Sequence, residues 1–84
     1  MSSVRLVFRG SLARQAGSEL QALEVPDSLE EAIPVIRQAI EANIGRAVLY
    51  SVLLNGTSLA LRGKPLRILE DGDEFSVVPV ILGG

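Results

Sequence analysis

Residues 68–80 read Ile68-Leu69-Glu70-Asp71-Gly72-Asp73-Glu74-Phe75-Ser76-Val77-Val78-Pro79-Val80, a turn followed by a strand. Asp and Gly side by side supply the local hydrogen bonding and the backbone freedom of a tight reversal, so Glu70 to Asp73 turns the chain. Glu74 to Val80 is then the last strand, and Leu66 to Leu69 is a brief element leading into the turn. After the strand come Ile81-Leu82-Gly83-Gly84.

Upstream of that turn, Tyr50 to Asn55 is a β-rich run, and Asn55-Gly56 signals a tight turn with positive φ. Leu59 to Leu61 fits a short return strand, and Gly63-Lys64-Pro65 a loop. Further back, Asp27-Ser28-Leu29-Glu30-Glu31 has the start signals of a helix. Ser28 is placed to cap the N–H of Glu31, whose side chain reaches back, and the acids favour the positive end of the dipole. Apolar residues at Leu29, Ala32, Ile33, Ile36, Ala39, Ile40 and Ile44 follow the 3.6-residue period, and Gly45 is a natural stop. Pro34 lacks the N–H that would bond to the Glu30 carbonyl, which predicts a kink or a first turn that is not α-helical.

At the N-terminus Val4, Leu6 and Phe8 alternate with Arg5, Val7 and Arg9, so Val4 to Arg9 is a first strand with two wet arginines. Gly10 to Ser18 suits a connection with room for one helical turn. Leu20 to Val25, stopped by Pro26, completes an opening hairpin, with Leu20, Ala22 and Glu24 on one face and Gln21, Leu23 and Val25 on the other. The expected class is α+β: a mixed sheet of four to five strands with one main helix on one face. A folded domain over residues 1–80 is expected, with 81–84 as a flexible tail.

Composition narrows the function. An 84-residue chain has room for one domain. With no Cys there is no disulfide, thiolate metal site or cysteine nucleophile, and with no His the usual neutral-pH general base is missing. Autonomous catalysis and a resident metal are therefore not expected. A net charge of −2, scattered along the chain, leaves no basic stripe for nucleic acid. Residues 1–10 fit neither a signal peptide nor a membrane span, so a cytoplasmic protein with no membrane partner is the simplest reading.

The chemistry is expected at Gly83-Gly84. Two glycines have no side chains to anchor them and the largest conformational freedom of any residue. From Val80 to Gly84 an extended chain spans roughly 16 Å at about 3.3 Å per residue, enough to enter a partner's cleft. A terminal carboxylate is ionised and resonance-stabilised at neutral pH, so it reacts only after activation. Conversion to an acyl-adenylate gives it a leaving group, after which a sulfur donor yields a thiocarboxylate and an amine yields an amide. The chain brings the acyl group, and partners bring the catalysis.

The stretch from Ile68 to Phe75, then Val78-Pro79-Val80 and Gly83-Gly84, resembles the C-terminal signature of the MoaD/ThiS branch of the ubiquitin-like β-grasp superfamily. The first strand, the loop Leu12 to Gly17, the helix from Ser28 and Leu54-Asn55-Gly56 fall where that family has equivalent elements. The resemblance is closest to the small subunit of molybdopterin synthase and implies a sulfur carrier, not an enzyme. Gly84 would accept AMP and then sulfur, with Gly83 as its slender neighbour. No cofactor would be bound permanently; ATP would be used by an activating partner resembling the E1 adenylating enzymes. The sulfur would pass to the molybdopterin synthase large subunit or another acceptor enzyme. Relatives also imply two alternatives, a modifier joined to lysines through its last glycine and a thiamin-pathway carrier. This chain departs from the pattern where Val80 follows Pro79 in place of a second proline, and at Arg9, where a hydrophobic residue is common.

Leu59, Leu61, Ile81 and Leu82 exceed what a half-covered sheet buries, which makes them a candidate docking patch for the activating or acceptor enzyme. Asp71, Asp73 and Glu74 lack the ligand spacing of a calcium loop and are read as a turn that fixes the last strand. Arg62, Lys64 and Arg67 are read as a solvated basic face.

Overall fold

Alternating apolar residues give β1 (Ser2–Phe8) a buried face of Val4, Leu6 and Phe8 in the computed structural model, which describes residues 1–58 and 68–80. The strand starts two residues before the alternation does. Ser2 also lies on the core side, and its Oγ sits 2.6 Å from Asp27 Oδ1 and 3.1 Å from the Leu69 carbonyl oxygen. A buried hydroxyl is tolerated when it is paired in this way.

β2 (Leu20–Val25) pairs antiparallel with β1, with Val4 opposite Leu23. That register turns Gln21, Leu23 and Val25 toward the core and leaves Leu20 outside, 52% exposed. The connection holds more than one turn of helix: α1 spans Ser11–Ala16, is anchored by buried Leu12, and ends at Gly17 with φ 75. A left-handed residue at a helix end suits glycine, which has no Cβ to clash.

The main helix, α2 (Leu29–Ile44), buries Leu29, Ala32, Ile36, Ile40 and Ile44 along one stripe. One expectation about its start is corrected. Ser28 occupies the cap position with extended backbone, yet its hydroxyl makes no capping bond, and its backbone bridges to Ile68. The first turn is α-helical, and the helix runs unbroken through Pro34. Packing of the apolar stripe outweighs the one hydrogen bond that proline withholds. At the other end Gly45, φ 83, closes the helix by donating to the Glu41 carbonyl at 2.8 Å. Across the helix–sheet seam, the Gln21 and Asn43 carboxamides pair reciprocally at 2.8 and 3.2 Å.

β3 (Tyr50–Leu54) turns into β4 (Thr57–Ser58) through Asn55-Gly56, whose φ values of 49 and 85 are the positive pair expected there. The return strand thus begins at Thr57; the expected Leu59–Leu61 segment lies outside the described residues. β5 (Glu74–Pro79) ends one residue short of Val80. Among the described residues the sheet has five strands in the order β2-β1-β5-β3-β4. β5 runs parallel to β1 and antiparallel to β3, so Phe75 and Val77, both fully buried, lie at the centre of the molecule. The expected mixed sheet with one main helix on one face is found.

Candidate functional site at the end of the last strand

The central strand is fixed at its start by side chains from three directions. Asp73 is 9% exposed and accepts hydrogen bonds from Asn55 Nδ2 and the Glu70 N–H, both at 2.9 Å. Asp71 Oδ1 accepts from the Ser3 N–H at 2.8 Å. Glu74, on the face away from α2, lies 3.4 Å from Arg5 and 3.3 Å from Arg9. The three acids are spent on turn and strand contacts, which is the turn-fixing role expected of them. Among the described residues no group of His, Cys, Asp or Glu could hold a metal ion.

At its other end β5 loses its neighbours together. The Arg9 N–H donates to Val77 at 2.9 Å, and the next residue, Gly10, turns away with φ 56 to start α1. A Cβ at Gly10 would meet Pro79 Cγ at 3.7 Å, ordinary contact, so it is the positive φ that favours glycine here. On the β3 side Tyr50 is opposite Pro79, and the Val80 N–H reaches the Leu49 carbonyl at 3.4 Å. Pro79 has no N–H to give a ladder, which suits the last position of a strand. The sheet stops at Pro79, and Val80 is 38% exposed.

Two groups beside this exit were not singled out from the sequence. Leu49, 59% exposed, receives the backbone hydrogen bond of Val80, so two exposed apolar residues stand where the last strand ends. Its only sequence signal was a large apolar residue directly ahead of a strand. Tyr50 is half-buried; burial raises its phenol pKa above the ordinary 10.0, and Glu41 adds to this while Arg37 opposes it. A shallow groove of about 230 Å³ lies over Gln38, Glu41, Ala42 and Arg46. It is smaller than the roughly 300–1,000 Å³ of a small-molecule site and brings no catalytic group together.

The residues expected to carry the chemistry, Gly83 and Gly84, lie outside the described residues, as do the docking candidates Leu59, Leu61, Ile81 and Leu82 and the basic cluster Arg62, Lys64 and Arg67. What the structure supplies is the point where the chain leaves the sheet: a central strand whose ladder closes at Pro79, five residues before Gly84. No helix among the described residues is long and apolar enough to cross a membrane.

No family model and no curated protein sequence matches this chain. Solved structures do. The small archaeal modifier protein 1 of Methanosarcina acetivorans superposes with a TM-score of 0.66 at 18% identity, covering 100% of this chain and 98% of that one. A putative molybdopterin converting factor, subunit 1, from Pyrococcus furiosus gives 0.67 at 17% identity, over 96% and 100%. The HVO 2177 protein of Haloferax volcanii gives 0.72 at 21% identity, over 99% and 87%. The fold is that of the ubiquitin-like β-grasp proteins.

Proposed function

We propose that this chain is a cytoplasmic sulfur carrier that works through the carboxylate of Gly84. The observation that carries the reading is the exit of the central strand: its ladder closes at Pro79, Val80 is exposed, and a diglycine follows within four residues. A rigid body holding a slender carboxylate suits a group that must be presented to several partners in turn. The carboxylate oxygen attacks the α-phosphorus of ATP in an adenylating partner of the E1 kind and pyrophosphate leaves; a sulfur donor then displaces AMP and leaves a thiocarboxylate. Gly83 keeps the approach narrow, and Leu59, Leu61, Ile81 and Leu82, joined by Leu49, supply apolar contact. The acceptor is the molybdopterin synthase large subunit or another sulfur-accepting enzyme, a reading supported by the molybdopterin converting factor among the structural neighbours.

The modifier among those neighbours supports a second reading, in which the same activated Gly84 forms an amide with target lysines. A thiamin-pathway acceptor uses the same chemistry. All three share adenylation, so the first test is pyrophosphate exchange with the adenylating partner. Exchange is expected with the full chain and not after deletion of Gly84. Equal exchange by the truncated chain would overturn the proposal.

A further inference from the structure

The turn between β3 and β4 joins an asparagine to a glycine, and among the described residues nothing beyond its chain neighbours lies within 4 Å of where a Gly56 Cβ would stand. The Gly56 amide nitrogen is therefore unshielded by any side chain of its own. In an unrestrained chain it attacks Asn55 Cγ: a C–N bond closes a five-membered imide, the Cγ–Nδ2 bond breaks, and ammonia leaves with the amide proton. Water then opens either ring carbonyl, giving aspartate or its β-linked isomer.

In the folded chain both ends of the same carboxamide are held by hydrogen bonds. Asn55 Oδ1 accepts from the Glu74 N–H at 2.9 Å, and Nδ2 donates to Asp73 Oδ1 at 2.9 Å. The Asn55 N–H donates to the Glu74 carbonyl at 2.8 Å, while its φ of 49 keeps the turn left-handed. These contacts staple the β3–β4 turn to the start of the central strand. Closing the imide expels Nδ2, so the bond to Asp73 must be given up, and the Oδ1 bond restrains the movement of Cγ that ring closure needs. We propose that Asn55 is a fold-gated deamidation site, inert while latched to Asp73 and Glu74 and converted once the turn opens.

The conversion runs one way. A carboxylate at residue 55 can still accept from the Glu74 N–H but has no proton for Asp73 and sets a second carboxylate against it, so the Asp73 half of the latch does not re-form. The turn would thus record its own opening, independently of what the C-terminus carries.

The test is to incubate the full chain at mildly alkaline pH, in native buffer and in denaturant, and to follow the Asn55 peptide by mass spectrometry. Deamidation reads as a gain of about 1 Da with two isomeric products. The folded chain is expected to convert at least about tenfold more slowly than the denatured one, because the rate tracks the population of opened turn. Asp73→Ala should speed conversion in native buffer. Equal rates for folded and denatured wild type, or an unchanged native rate in a folded Asp73→Ala variant, would overturn the proposal. Asn55→Asp, which stands in for the main-chain product, should lower the thermal midpoint; an unchanged midpoint would remove the one-way step.

Discussion

Asp27 ties the N-terminus to the body of the protein. The Ser2 hydroxyl foremost, and then the N-terminal amine 3.2 Å away, hold its carboxyl below the ordinary 3.8. The folded state therefore takes up this proton less readily than the unfolded chain. Its stabilising contribution is present above 3.8 and is lost as pH falls through the lowered value. Acid titration of the thermal midpoint should show wild type and Asp27→Asn separated near neutrality and converging below 3.8; a constant gap would contradict the pairing. Ser28 gives the opposite kind of prediction. A capping serine loses about 1 kcal/mol on replacement by alanine. Because the Ser28 hydroxyl makes no cap bond, Ser28→Ala should stay within about 0.5 kcal/mol in denaturant melts.

Among the elements, β5 decides the architecture. Phe75 faces Leu6 on one side and Leu54 on the other and is fully buried, so Phe75→Ala should cost about 3–5 kcal/mol, read as a shift in the urea midpoint. This strand, its turn, β1 and the stripe of α2 were legible because each has a local signature: alternation, an Asp-Gly turn, or the helical period. α1 was less so, since a six-residue helix with one buried leucine is too short to show a period. The grip of Arg5 and Arg9 on Glu74 was invisible for another reason. It joins residues brought together by a parallel pairing of the first and last strands, which no local pattern announces. The same holds for the backbone bond from Val80 to Leu49 at the exit of β5, which depends on the register of β3 rather than on the neighbours of Leu49 in sequence.

At the scale of the whole molecule, the proposed function divides the labour between a folded body and a short C-terminal segment that would carry the reacting group. Among the described residues the buried cluster runs from Val4 to Val77. Deleting Gly84 should therefore leave the thermal midpoint unchanged while abolishing adenylation, and a large loss of stability would show the segment to be part of the core. The most direct measurement is tandem mass spectrometry of the protein taken from its native cells. A carrier shows a gain of about 16 Da, sulfur in place of one oxygen, confined to the Gly84 carboxyl. A native population in which that carboxyl is bare, bearing neither sulfur nor a linked lysine, would contradict the account.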